Sequence, residues 1–100
     1  FVDLFCGGNN VGINVKANEI YCNDNKKQII ELLEYWTRHD VNYLIKEIHS
    51  IIKEYKLSQS SEYGYEYYGY NSNDGLSKFN DDKWRKLRED YNKNKDIKLL

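Results

Sequence analysis

The sequence predicts an α/β chain whose strands come first and whose helices follow. Three observations carry this: an apolar run that stops at a glycine pair, a second short apolar run after it, and a change to helical periodicity near Lys26. Residues 1–6, Phe-Val-Asp-Leu-Phe-Cys, are too few for a helix and rich in strand formers. With Gly7-Gly8 following at once, they read as a buried strand entering a tight turn. A short helix would begin within residues 9–15, and residues 19–24 read as a second strand ending in Asn23-Asp24.

From Lys26 onward Ile29, Ile30, Leu32, Leu33 and Trp36 share one broad helical face, with Asn23, Asp24 and Asn25 all competent to cap the first turn. A second helix is expected from about Asp40, where Leu44, Ile45, Ile48, Ile51, Ile52 and Tyr55 form one apolar stripe. Residues 58–75 hold Tyr63, Tyr65, Tyr67, Tyr68 and Tyr70 and close on Asn73-Asp74-Gly75, so they read as a loop or small hairpin. A third helix is expected from Asn80. Phe79 and Trp84 would form a hydrophobic staple there, Asp81 and Asp82 would occupy the first turn, and Trp84, Leu87 and Tyr91 would make a buried seam.

A chain of 100 residues allows one small domain at most. No apolar run approaches the roughly 20 residues that span a bilayer, and no secretory signal opens the chain, so a soluble cytoplasmic protein without membrane contact is expected. The sequence has neither Met nor Pro and has apolar residues at both ends, which reads as a fragment of a longer chain with an incomplete core. Cys6 and Cys22 form no C-x-x-C pair and lie far in sequence from His39 and His49. Buried free thiols at neighbouring strand ends are expected, with no metal site, and surface positions for both histidines. The net charge of -1 hides an uneven spread: residues 58–75 carry three acids and no base, whereas residues 76–100 carry eight basic and five acidic side chains.

A strand that delivers its end into a glycine turn lets backbone N–H groups approach a ligand, and an acid ending the next strand can accept both hydroxyls of a ribose. Gly7 and Asp24 lie 17 residues apart, near the spacing of a nucleotide-binding βαβ unit. An ordinary turn, with Asp24 merely capping the following helix, is the competing reading, and the two roles can coexist.

The run Phe1-Val2-Asp3-Leu4-Phe5-Cys6-Gly7-Gly8, the pair Asn23-Asp24 leading into an Ile-Ile-Glu-Leu helix, and Lys86-Leu87-Arg88-Glu89-Asp90-Tyr91-Asn92 together resemble Dam-type DNA adenine-N6 methyltransferases. The resemblance covers nearly the whole chain and is least typical in residues 58–75. It implies the first two strands of a Rossmann-like methyltransferase sheet, a bound S-adenosylmethionine, and a mainly helical target-recognition segment. On that pattern residues 1–28 would be a partial cofactor-binding βαβ piece and residues 29–100 part of the DNA-reading domain. Phe5, Cys6, Gly7 and Gly8 would surround the methionine part of the cofactor, Asp24 would hold its ribose, and Asp3 would support the turn. Two departures stand out: Asn9 replaces the second glycine of the family's F-x-G-x-G, and Asn25-Lys26 replaces the Ile-Asn that commonly follows Asn-Asp. Asn tolerates positive φ better than most residues, so the turn is expected to survive.

The family's catalytic D-P-P-Y cannot occur in a chain without proline, so no catalytic residue is assigned. Lys83, Arg85, Lys86 and Arg88 are candidates for duplex DNA phosphates; a solvated face with Arg paired to acids is the competing reading. The tyrosines read as loop packing rather than base stacking, because their segment is acidic. The expectation is thus a fragment of a site-specific DNA adenine-N6 methyltransferase, inactive alone and prone to self-association through its unpaired strands. The rivals are a noncatalytic helical DNA-binding or protein-interaction module and a small-molecule methyltransferase.

Overall fold

In the computed structural model, which describes all 100 residues, β1 (Val2–Asp3) and β2 (Tyr21–Cys22) run parallel, Val2 opposite Tyr21 and Asp3 opposite Cys22. The Tyr21 and Asn23 N–H groups donate to the Phe1 and Asp3 carbonyls, and the Cys6 N–H reaches the Asn23 carbonyl at 2.9 Å. Both strands are shorter than expected, two residues each. β1 stops because Asp3 Oδ1 accepts the N–H of Phe5 at 3.3 Å, which bends Leu4 and Phe5 into a turn. Phe5 is therefore 83% exposed rather than buried in a strand, whereas Cys6, beyond the bend, is buried. The short helix expected within residues 9–15 is a single 3-10 turn, Gly12–Asn14.

The chain divides into two compact units, Phe1–Val41 and Asn42–Leu100. The first holds the strand pair and α1 (Lys27–Arg38), whose Ile29, Ile30, Leu32 and Leu33 are half-buried while Trp36 stays exposed. His39 ends this helix half-buried, its ring 4.1 Å from that of Tyr35 and its Nδ1 2.7 Å from the Tyr35 carbonyl, so it is not the surface residue expected; His49 is exposed.

The second unit rests on two long helices, α2 (Val41–Tyr55) and α4 (Ser77–Asn94), with a short α3 (Ser60–Tyr63) and a 3-10 turn, Glu66–Tyr68, on the path between them. Buried Tyr55 donates its hydroxyl to Asp90 Oδ2 at 2.6 Å, tying α2 to α4. The α2 stripe is covered in part: Leu44, Ile51 and Ile52 are half-buried, but Ile45 and Ile48 are exposed, Ile48 at 54%. The tyrosine-rich connection forms no hairpin. Tyr63 stacks on Tyr67 at 4.8 Å, Tyr67 meets Tyr68 edge-on, and Tyr68 packs on Phe79 at 4.7 Å while its hydroxyl accepts the N–H of Gln59.

α4 begins at Ser77, three residues before the expected start, so Phe79 lies inside the helix and forms no staple. Asn80 does not cap it. Its Oδ1 accepts the Ser58 N–H at 2.9 Å and its Nδ2 donates to Ser58 Oγ at 2.7 Å, which fixes the exit of α2 against the first turns of α4. Nor is Trp84 part of a buried seam: it is half exposed, and only Leu87 and Tyr91 of that set are partly covered. No helix is long and apolar enough to cross a membrane.

Candidate cofactor-binding turn and basic helix

The bend after β1 and the end of β2 bring residues 5–9 opposite Asp24. Gly7 has φ +48° and Asn9 φ +61°, so the turn visits the left-handed region twice. Asn at the second position keeps the conformation that the sequence demanded of it. The Asn9 N–H closes the turn on the Cys6 carbonyl at 2.7 Å.

Asp24 clamps this turn to the start of α1. One carboxylate oxygen accepts the Gly7 N–H at 3.0 Å and the other accepts the Lys26 N–H at 2.9 Å. Those two backbone donors, Lys26 first and Gly7 second, hold the Asp24 carboxyl below its ordinary value of 3.8, so it is ionised at neutral pH. A carboxylate has about four lone-pair positions, and with the Asn25 N–H also directed at it at most two remain after the clamp. Asp24 does not cap α1: Lys26 holds the N-cap position without a side-chain cap hydrogen bond, and Asp24 binds the Lys26 N–H just before the helix, which steadies its entry.

A second contact set, which the sequence reading missed, lies behind the turn. Cys22 Sγ donates to Asn9 Oδ1 at 2.8 Å, directly over Gly12. A Cβ on Gly12 would overlap Asn9 Oδ1 and come within 2.7 Å of Cys22 Sγ, so only glycine lets the three meet. The signal available in the sequence was a third glycine soon after Gly7-Gly8, in a short stretch that had to return to the sheet. Neighbouring Cys6 is buried; burial first, and then Cys22, pushes its thiol above the ordinary value. Both cysteines are free, and no cluster of His, Cys, Asp and Glu is placed to hold a metal ion.

The front of the turn is open. A Cβ on Gly7 or Gly8 would meet nothing within 4 Å, and the Phe5 side chain just before them in the turn is exposed. The turn thus presents open backbone beside an ionised carboxylate.

On α4 the four basic candidates separate into two pairs. Lys83 and Lys86 line a cleft of about 270 Å³ with Tyr55 and Asp90. The Lys83 ammonium is engaged there, donating to the Phe79 carbonyl and lying 4.0 Å from the Phe79 ring. Arg85 is bridged to Asp81 at 3.1 Å, one turn back, as the competing reading had it. Arg88 makes no ion pair and lies 4.6 Å over the ring of Trp84.

Set beside known proteins, residues 1–99 match the family described as D12 class N6 adenine-specific DNA methyltransferase. The chain is 46% identical over 65 residues to the type II methyltransferase M.FokI of Planomicrobium okeanokoites, which covers 65% of the chain. It is 42% identical over 62 residues, 62% of the chain, to the modification methylase StsI of Streptococcus sanguinis. Each match spans only 10% of the relative's own length. No solved structure matches.

Proposed function

Because the chain belongs to the D12 class N6 adenine-specific DNA methyltransferase family, we propose that it supplies part of an enzyme that methylates adenine N6 at a specific duplex DNA site. The observation that carries the reading is the turn of residues 6–9 clamped by Asp24, at the place where the family resemblance puts S-adenosylmethionine. Residues 1–28 are the cofactor piece in this reading, and residues 29–100 begin the segment that meets DNA. The compact first unit extends further, to Val41, because α1 starts directly from the Asp24 clamp. The names of both relatives, a type II methyltransferase and a modification methylase, favour a restriction-modification role.

Phe5, Cys6, Gly7 and Gly8 hold the methionine part of the cofactor against the open face of the turn, and Asp3 sets the bend that presents them. Asp24 accepts from the ribose with the lone pairs that the clamp leaves free. The bound sulfonium supplies an electrophilic methyl group. Lys86, Arg85 and Arg88 take DNA phosphates, Arg85 by exchanging Asp81 for phosphate and Lys83 by leaving the Phe79 carbonyl. The target adenine must be turned out of the duplex to be reached. The groups that would hold its amino nitrogen are outside this chain, which has no proline and hence no D-P-P-Y.

The test is a transfer assay with labelled S-adenosylmethionine and duplex DNA, on the enzyme that carries this segment and on the 100-residue chain. The enzyme is expected to form N6-methyladenine and the chain to transfer nothing. Methylation of cytosine by the enzyme, or reproducible transfer by the chain, contradicts the reading.

A further inference from the structure

Where α2 leaves toward α3, a cleft of about 450 Å³ opens against the first turns of α4. Apolar Ile52, Leu57 and Trp84 line it together with polar Ser77 and Asp81. Paired hydrogen bonds join Asn80 of α4 to Ser58, in the irregular stretch between α2 and α3, and both residues line the cleft.

Three properties define what would occupy it. The indole of Trp84 is half exposed although the Arg88 guanidinium covers one face, so ring surface is left for another flat partner. The Ser77 hydroxyl makes no hydrogen bond within the chain, and the Asp81 carboxylate, its charge offset by Arg85, retains acceptor positions. Outside the cleft, Arg85 and Arg88 present positive charge on the same stretch of α4 as Trp84. A flat heterocycle with a hydrogen-bonding edge, joined to an anionic backbone, matches all three. An aliphatic side chain would leave Ser77 and Asp81 unanswered, and an acidic peptide would meet Asp81.

We propose that the cleft beside Trp84 seats a single unstacked base of the DNA, with Trp84 as the stacking surface and Arg88 on the adjoining phosphate. The inference rests on the DNA methyltransferase reading and adds to it a base-holding site separate from the cofactor turn. Stacking on one aromatic side chain gives a preference of about tenfold for DNA with an unstacked base.

The experiment compares binding of the chain to two duplexes by fluorescence anisotropy, one fully paired and one with a single bulged 2-aminopurine. The bulged duplex is expected to bind about tenfold more tightly, with 2-aminopurine emission quenched in the complex. Trp84→Ala should erase that preference while paired-duplex affinity stays within about twofold, and Trp84→Phe should restore most of it. Circular dichroism shows whether each variant is folded, and the native chain's own preference decides the matter even if Trp84→Ala is not. Equal affinity for the two duplexes, or a preference that survives in a folded Trp84→Ala, overturns the cleft and leaves the methyltransferase reading standing. Absence of binding to either duplex overturns the cleft and the phosphate roles of Arg85 and Arg88, while the transfer assay on the enzyme decides the methyltransferase reading separately.

Discussion

Asn9 shows how one residue can break a glycine pattern and keep its geometry. It enters the left-handed region at φ +61°, and its side chain gains a partner in Cys22 that glycine could not offer. The tolerance of Asn for positive φ was legible in the sequence. The Cys22 contact was not, because it joins residues 13 apart whose meeting depends on strand register. Gly12 is the residue on which that contact depends. Gly12→Ala should force Asn9 and Cys22 apart and raise the rate at which Cys22 reacts with a thiol reagent by about fivefold, the worth of one modest hydrogen bond. Cys6, buried and with its thiol raised, should remain the slower of the two. Unchanged Cys22 reactivity in Gly12→Ala would remove the latch from the account.

Among the elements, the helices were easier to read than the strands. A period of 3.6 repeats over three turns in α2 and identifies itself, whereas β1 and β2 hold only two residues each, β1 ending where the Phe5 N–H donates to Asp3 Oδ1. The start of α4 was misplaced because Asn80 looked like a cap, and its partner, Ser58, lies 22 residues away. The bond between Tyr55 and Asp90 was equally out of reach of periodicity, and it has a pH consequence. The hydrogen bond to Asp90, and then burial, push the Tyr55 hydroxyl from 10.0 up to about 12. Between those values the unfolded chain has released the proton and the folded chain still holds it, so stability falls as pH rises from about 10 toward 12 and is intact below 10. Tyr55→Phe should flatten that decline; thermal melts of both proteins across this range check it, and parallel curves would contradict it. Arg85 and Arg88 act at the same scale. If both hold phosphates, replacing either with Ala should weaken cognate and noncognate duplexes alike and lower the salt slope by about 0.9. A loss confined to the cognate duplex would instead indicate base reading.

At the scale of the whole chain, what is conspicuous is how little is buried: Cys6, Tyr55 and Leu76 are the only buried hydrophobic residues, while Phe1, Val2, Leu4 and Phe5 are exposed around a sheet of two strands. Two strands are marginal in water, and exposed apolar edges pair with other chains. The isolated 100-residue chain is therefore expected to self-associate through β1 and β2, seen as a mass by light scattering that grows with concentration; a monomer at all concentrations would contradict it. The central claim, however, is that Asp24 and the glycine turn form a cofactor site, and calorimetric titration with S-adenosylmethionine tests it most directly. The native chain should show saturable binding, and Asp24→Asn, which keeps the shape of the side chain but loses its charge and one acceptor, should weaken it on the order of 10- to 100-fold. Equal affinity in the two proteins, or no binding by the native chain, would contradict the assignment.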